Sequence, residues 1–533
     1  MNFLSFHFDY NYIKSLCLSI VEVVYPITLR KIWCYFTYTM IGIIIQGSLI
    51  HIPSSWKYIT NIIHWYSLEF ALFILLIDPF FIIISMLFSC YGELPNQTNN
   101  IDKNKDIAII IPTHGSYGII EVTIKSCLRH VNGNQIFICD NNNSNKPIDN
   151  IWEEIRNIDD TINYHYNPVG NKTRAQFMGI MSEKHNFKYS LLIDDDVILP
   201  NNLNFKSELF SDDTNLQCLV YPLTTQQNKS LLVEWQDIEY KLSGLIKNVQ
   251  SNISSIIAPH GGISLWRTPI LKRILVEHDT IFYGDDTKMG LYLLNRGFSS
   301  KFVPEVLVQT VCPRSFMGKT PNLYEQRVCS WDSTEHVLTL QYIELFLRSF
   351  IRTSLTRSII LRVFELKILI DIVSDWIKIL VFIHFYESTN FWYWIGFGIG
   401  ANLIILFIWN YIKCYKRPDI RCSLLSVSTF WIYKCITSVF RILALIRCYL
   451  SYIPRYKRPI PIFLEDDTQN LKVNTLRWSE YINIFKHSSS DELDSTVISP
   501  IVSFCNESSE SIDKYYSGND DIDSFDNVSL TPK

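Results

Sequence analysis

Three consecutive aspartates, Asp194-Asp195-Asp196, are the residues of this chain most suited to chemistry. They follow the apolar run at 189–193, so three carboxylates stand where a predicted buried strand ends. Carboxylates this close repel one another, and a divalent cation among them relieves that repulsion. An Asp-x-Asp pair at a strand end suits a Mn²⁺ or Mg²⁺ ion that holds a diphosphate. The same run is also compatible with an Asp-rich turn or a helix cap.

Two segments upstream also place polar groups where ligands commonly bind. The apolar run at 135–140 ends in Asp140, which could accept a hydrogen bond from a base or a ribose at the carboxyl edge of a sheet. Lys172 and Arg174 begin a predicted helix, and their charges suit a nucleotide phosphate. Each pattern has a plainer interpretation: an Asx-turn for the aspartate, and solvated charges on a helix end for the two cations.

Two segments downstream combine glycine with possible catalytic groups. Gly261 and Gly262 let a backbone approach an acceptor closely, or else form a plain turn before a strand. Gly284-Asp285-Asp286 begins a predicted helix, and a buried carboxylate there is a candidate general base for a sugar hydroxyl. The alternative for these aspartates is helix capping.

The segment at 324–332 carries Gln326, Arg327 and Trp331 close together. A tryptophan ring stacks on a sugar ring, and an arginine fork binds a diphosphate. The alternative is a tryptophan at the membrane interface of an amphipathic helix.

Short apolar runs alternate with helical stretches over 105–345 and predict the scaffold for these groups. Runs such as those at 107–112 and 189–193 are nearly continuous in apolar residues, which favours a parallel sheet covered on both faces. Alternation with helices indicates an α/β fold.

Apolar segments on both sides of this block predict membrane helices. The runs at 32–52, 66–90 and 391–412 are long enough to span a bilayer, and 366–388 is a charge-bearing candidate. The segment at 423–450 is interpreted as an interfacial or re-entrant helix, with a true span as the alternative. Arg30 and Lys31 place the N-terminus and the block after residue 91 in the cytosol. The predicted organisation is a membrane region at 1–91, a linker at 92–104, a catalytic domain at 105–345, interfacial helices and spans at 346–450, a cytosolic segment at 451–487 and a disordered tail at 488–533.

Composition agrees with a chain that is part soluble and part in lipid. Of 533 residues, 48% are hydrophobic, and the net charge of -4 gives no global bias toward nucleic acid. The 13 cysteines are scattered without zinc-ligand spacing, which indicates reduced thiols.

In this order, the motifs resemble those of the processive membrane synthases of glycosyltransferase family 2, which include hyaluronan, chitin and cellulose synthases and fungal capsule-type polysaccharide synthases. The family's order is an Asp after a strand, a Lys/Arg-Ala element, an Asp-x-Asp, a Gly-rich acceptor turn, a Gly-Asp-Asp base motif and a QxxRW motif. The matching residues here are Asp140, Lys172 to Ala175, Asp194 and Asp196, Gly261 and Gly262, Gly284 to Asp286, and Gln326, Arg327 and Trp331.

The resemblance implies a cytosolic GT-A-type α/β domain inserted between transmembrane helices. It also implies an inverting transfer from a nucleotide-sugar, with a UDP-sugar as the expected donor, to a glycan or lipid-linked acceptor. It implies catalysis by Asp286 with Asp285, and metal binding by Asp196 and Asp194. The implied donor-binding residues are Asp140, Lys172, Arg174, Asp194 and Arg327. The implied acceptor-binding residues are Gly261, Gly262, Gln326 and Trp331.

One motif departs from the family pattern and leaves processivity open. The segment reads Gln326-Arg-Val-Cys-Ser-Trp331, so Cys329 stands where the family has arginine and the tryptophan comes one residue late. The first hypothesis is a polysaccharide synthase that exports its product, at the plasma membrane. The second is a glycolipid-forming transferase of the Golgi or endoplasmic reticulum that acts on ceramide or a polyprenyl phosphate. The third is a non-catalytic membrane scaffold.

Overall fold

The computed structural model describes residues 80–88 and 104–448, apart from short gaps at 143, 145, 169, 183, 227–229, 279–283, 319–320, 349–353 and 386–388. The predicted span at 32–52, nearly all of the linker at 92–104, the segment at 451–487 and the tail at 488–533 lie outside the described residues. Of the predicted span at 66–90, residues 80–88 are described and form a helix.

Apolar, mostly β-branched runs form the strands, as expected for a buried sheet. The strands are β1 (Ile107–Thr113), β2 (Ile136–Asn141), β3 (Asn163–Asn167), β4 (Tyr189–Ile193), β5 (Leu216–Val220), β6 (Leu223–Thr225), β7 (Ile263–Arg267), β8 (Ser299–Phe302) and β9 (Val308–Thr310). Seven of them pair in the order β3-β2-β1-β4-β7-β5-β8, and β6 pairs with β9.

The α/β prediction is confirmed, but the sheet is mixed rather than parallel. Strands β1, β2, β3 and β4 run parallel, whereas β7 lies antiparallel between β4 and β5. A continuous apolar run predicts that a strand is buried on both faces. It does not determine whether the neighbouring strand runs parallel or antiparallel, so the direction of β7 could not be predicted.

The helices flank this sheet and then continue as a separate helical block. They are α1 (80–88), α2 (Ile120–Cys127), α3 (Ile151–Ile158), α4 (Lys172–Ile180), α5 (Leu209–Asp212), α6 (Leu231–Ile253), α7 (Thr268–Glu277), α8 (Asp285–Asn295), α9 (Asp332–Val337), α10 (Thr339–Arg348), α11 (Leu355–Phe385), α12 (Thr389–Phe407) and α13 (Leu424–Arg447). Two π-helical segments occur at Glu325–Trp331 and Ile408–Lys413, and a 3-10 turn at Gly133–Gln135.

The two faces of the sheet are covered by different helices. Isoleucines of α2 and α3 pack with alternate residues of β1 and β2, such as Ile109 and Ile138, in the main core. On the other face, Gly179 of α4 lies so close to Ile110 and Cys139 that an added Cβ would be 2.6 Å from the Cys139 Sγ. A glycine is therefore needed where α4 contacts the sheet.

Two described helical segments are long and apolar enough to cross a membrane, Phe391–Ile412 and Leu424–Arg447. The first coincides with the predicted span at 391–412. The second forms one unbroken helix over the segment interpreted from its sequence as interfacial or re-entrant, with a true span as the alternative.

The charged candidate at 366–388 forms part of the 31-residue helix α11. Its charges pair along one face, as their spacing predicts: Lys367 with Asp371 at 2.5 Å, and Lys378 with Asp375 at 2.9 Å.

Candidate active site

The edge of the sheet where β1, β2 and β4 end brings the acidic motif beside the glycine turn. Parallel strands end at the same edge, and β7 begins there because it runs the opposite way. The Asp194 backbone N–H donates to the Gly262 carbonyl at 3.2 Å. Two motifs far apart in the chain are thus fixed side by side.

Lys172 joins the acidic motif to the predicted base segment. Asn171 caps α4 by accepting from the Arg174 backbone N–H, which sets Lys172 as the first residue of the helix. Its Nζ lies 2.7 Å from Asp194 Oδ1 and 3.7 Å from Asp285 Oδ2. One ammonium group therefore bridges both acidic segments at a position suited to a phosphate.

The three consecutive aspartates have different surroundings. Asp195 accepts a hydrogen bond from the Ser116 hydroxyl, whereas Asp194 and Asp196 line the cavity described below. Burial, followed by the charges of Asp194 and Asp195, raises the pKa of Asp196 to about 7. Thr310 donates to the Asp196 carboxylate only at 3.3 Å. The Val311 backbone also hydrogen-bonds this carboxylate, but burial and the two neighbouring charges outweigh both hydrogen bonds, so the ionised form of Asp196 stays disfavoured.

This pair of carboxylates fits a divalent cation. Hard cations prefer carboxylate oxygens, and a nearby positive charge favours the ionised form that burial disfavours. Within the part of the chain that the structure describes, no group of three His, Cys, Asp or Glu side chains surrounds a common point. A cation at Asp194 and Asp196 would take its other ligands from phosphate oxygens and water, as Mg²⁺ commonly does.

Asp285 and Asp286 begin α8, as predicted, and face different neighbours. Asp285 accepts from the Gln176 amide at 3.1 Å and pairs with Lys172. Asp286 lies against Gly261, where an added Cβ would be 3.2 Å from the Asp286 Oδ2. Burial and the neighbouring Asp285 charge raise the pKa of Asp286 to about 6. A carboxylate with such a pKa can accept a proton near neutral pH, and Asp286 lies beside the glycine turn.

The irregular motif forms the π-helical segment Glu325–Trp331, which brings its arginine and tryptophan together. The Arg327 guanidinium lies 5.6 Å from the centre of the Trp331 ring, and that ring lies 6.0 Å from the Tyr240 ring. Arg327 also donates to Glu239 Oε1 at 2.8 Å. Gln326 lines the same cavity.

One cavity of about 1560 Å³ holds most of the predicted residues. We call the part around Lys172, Asp194 and Asp196 the donor end. From there the cavity continues past Asp286 and Trp331 to the C-terminal helices. Its lining in those helices includes Lys367, Asp371, Lys378, Asn402, Lys434 and Arg441.

Asp140 and Arg174 are the two predicted residues that the structure does not bring to this lining. Asp140 is 1% exposed and accepts the Tyr164 hydroxyl at 2.9 Å. Arg174 is 4% exposed on the inner side of α4. Their donor-binding role remains a prediction from sequence.

Three charged residues of the lining were missed by the sequence analysis: Glu239, Lys247 and Glu335. The Lys247 ammonium donates to the Ser243 hydroxyl at 3.1 Å, and burial lowers its pKa to about 8. In the sequence these residues look like ordinary solvated charges. For Glu239 and Lys247, a signal was available in the presence of charges on a helix, α6, that is otherwise rich in apolar residues; Glu335 lies on α9.

Comparison with known proteins identifies a family similar to the segment that carries most of these residues. Residues 104–331 match the model of the family described as Glycosyltransferase like family 2. A protein from Bradyrhizobium diazoefficiens named N-acetylglucosaminyltransferase is 23% identical over 192 residues, which cover 34% of this chain and 39% of that protein. The chain thus matches about two fifths of that relative's length.

Similarity to solved structures is weak. The mannosyltransferase PcManGT from Pyrobaculum calidifontis, in complex with GDP-Man and Mn²⁺, gives a TM-score of 0.43 at 11% identity over 72% of this chain and 99% of that one. TarS from S. aureus, in complex with UDP-GlcNAc, gives 0.33 at 10% identity over 65% and 92%. The segment at 104–331 is thus similar to a glycosyltransferase family 2 domain.

Proposed function

We propose that the chain is a membrane-integrated, inverting glycosyltransferase that moves a sugar from a nucleotide-sugar to a growing glycan at the cytosolic membrane face and exports the product. One observation carries the proposal. A single cavity is lined by two carboxylates and a lysine at its donor end, by a carboxylate with a raised pKa beside a glycine turn, and by residues of apolar helices.

The reaction assigned to this cavity is a single displacement with a GT-A-type division of roles. Asp286 accepts the proton of an acceptor hydroxyl, and that oxygen bonds to the anomeric carbon as the bond from this carbon to the diphosphate breaks. Lys172 lies where it compensates the charge that develops on the departing diphosphate. A Mn²⁺ or Mg²⁺ ion held by Asp194 and Asp196 would supply further charge neutralisation.

A glycolipid-forming transferase is the second candidate. The helix lining of the cavity contains apolar side chains, among them Phe391, Ile395, Ile399, Leu403 and Leu406. Such a surface suits the hydrocarbon of a lipid-linked acceptor as well as the pyranose faces of a glycan. Product size separates the two candidates.

The test is sugar transfer by the purified protein in lipid nanodiscs. Radiolabelled UDP- and GDP-sugars are offered with Mn²⁺ or Mg²⁺, starting with UDP-N-acetylglucosamine because of the name of the relative. We expect transfer from one donor, loss of transfer with a chelator, and a loss of about 10²- to 10⁴-fold in Asp286→Asn. Asp160→Asn, at an exposed position outside the cavity lining, is the matched control.

The outcomes separate the hypotheses. A long polymer supports the synthase, and a small product that partitions into organic solvent supports the glycolipid enzyme. No transfer and no hydrolysis from any donor, together with no nucleotide binding, supports the scaffold. Undiminished transfer by Asp286→Asn would contradict the assignment of the base.

A further inference from the structure

The short helix α9 packs directly on the segment that carries the base. Gly284, which precedes Asp285 and Asp286, has a φ of 90°. A Cβ placed on Gly284 would lie 2.4 Å from the Thr334 Cγ2 of α9. A side chain at position 284 would collide with Thr334, so only glycine fits between the two helices. The position of α9 therefore limits where α8 can begin.

The same short helix is tied to the C-terminal helices by one arginine. Arg441 of α13 lies with Nη1 2.8 Å from Glu335 Oε2 and 3.9 Å from Asp332 Oδ1, both on α9. Its Nε donates to Asp375 Oδ2 of α11 at 2.8 Å. Arg441 therefore links three helices at one point.

Two of the three carboxylates that Arg441 contacts are buried, whereas the Glu335 side chain is 39% exposed. The side chains of Asp375 and Asp332 are 0% and 3% exposed, and that of Arg441 is 19% exposed. Lys378 gives Asp375 a second cation at 2.9 Å, and Arg327 lies 3.6 Å from Asp332. Without the Arg441 guanidinium, the carboxylates of Asp375 and Asp332 would lose part of their charge compensation in a buried environment, where charges are screened weakly. We therefore expect α9 to shift.

We propose that Arg441 is a positioning residue for Asp286. It holds α9 against the start of α8, through Glu335 on one side and the Thr334–Gly284 contact on the other, and so fixes the base relative to the acceptor. The inference rests on the proposed role of Asp286. The donor end is held mainly by α4 and β4, which carry Lys172 and Asp194, and it meets the start of α8 at Asp285, through Lys172 at 3.7 Å and the Gln176 amide at 3.1 Å.

The test compares Arg441→Met, Arg441→Lys and the control Glu344→Gln. Glu344 pairs with Arg348 at 2.7 Å within α10 and is also partly buried, so the control removes an ion pair of similar geometry elsewhere. We expect kcat for sugar transfer to fall at least about tenfold in Arg441→Met, since misplacing a catalytic group by about 1 Å can cost about 100-fold. The donor KM and the affinity for the nucleoside diphosphate should stay within about twofold of wild type.

Arg441→Lys should recover part of the lost kcat because it keeps the charge, and Glu344→Gln should match wild type. Thr334→Ser, which removes only the methyl group that packs on Gly284, provides a milder second variant. It should lower kcat by about threefold with an unchanged donor KM, and it keeps the inference testable where Arg441→Met does not fold.

Hydrogen exchange of the amides at 285–290 supplies a readout independent of activity. Arg441→Met should exchange faster there than the control. Wild-type kcat in both Arg441→Met and Thr334→Ser would overturn the inference. A loss of nucleotide affinity as large as the loss of kcat would overturn it as well. Absence of transfer by the wild-type protein would count against the proposed function instead, and hydrogen exchange would then decide the inference.

Discussion

At the scale of single residues, neighbouring carboxylates acquire different roles from their contacts. Asp195 is held by Ser116 and Asp285 by Gln176, so each is fixed by a protein hydrogen bond. Burial and neighbouring carboxylate charges raise the pKa of Asp196 to about 7 and that of Asp286 to about 6. When burial disfavours the negative charge of a carboxylate, that carboxylate can bind a cation or accept a proton.

The pKa of Asp286 predicts an acid limit for activity. A general base works in its ionised form, and burial raises its pKa to about 6, so transfer should be lost as the pH falls through about 6. At saturating Mn²⁺ we expect kcat to fall about tenfold per pH unit below that point and to level off above it. Asp286→Glu should move this limit, and a limit that stays in place would assign it to another group.

The sequence predicted most of this site, because each motif stands at the end of a strand or the start of a helix. The structure places Lys172, Asp194 and Asp286 together at one cavity. It could not be predicted that Asp140 would pair with Tyr164, since that contact depends on the register of β2 and β3. The charges of α6 were missed for a similar reason, because only tertiary packing turns them toward the cavity.

At the scale of elements, α8 is held by close backbone contact as well as by side chains. A Cβ on Gly290 would lie 2.3 Å from the Ile257 carbonyl oxygen and 2.6 Å from Pro259 Cδ. The helix therefore packs directly on the segment that leads to Gly261. This packing keeps Asp286 beside the glycine turn.

Gly290→Ala should consequently destabilise the protein by about 1–3 kcal/mol, because a backbone carbonyl cannot move aside as a flexible side chain can. The measurement is the midpoint of thermal unfolding in detergent. Gly400→Ala is the control, since nothing lies within 4 Å of a Cβ at that helical position. Equal midpoints for the two variants would show that α8 can shift without cost.

The strands and helices themselves were largely predictable, whereas their pairing was not. The runs at 107–112 and 189–193 form β1 and β4, and the helix predicted at 284–286 begins at Asp285. The insertion of β7 between β4 and β5 joins segments about 45 to 75 residues apart in the chain. The local sequence pattern does not indicate which distant strands pair.

At the scale of the whole molecule, the C-terminal helices present a large apolar surface. Residues exposed on the two candidate spans include Tyr393, Ile404, Ile412, Leu425 and Val439. Exposed apolar surface of this extent is typical of contact with lipid or with another protein. Together with the apolar composition of α12, this favours the membrane placement in the proposal.

Membrane integration predicts resistance to alkaline extraction. The expressed chain should remain in the membrane pellet after a carbonate wash and should be released by detergent, because buried apolar area rather than charge would hold it there. A peripheral membrane protein in the same preparation is the control and should appear in the supernatant. Recovery of the chain in the supernatant would contradict integration.

The continuity of the cavity has a consequence for the direction of growth. The same space is lined by the donor end and Asp286 and by residues of the apolar helices. Under the proposed function, a newly added unit always enters at the donor side and pushes the older units toward the helices. The growing terminus then stays inside the protein, the oldest unit leads outward, and the spent nucleotide must depart by the side through which the donor arrived.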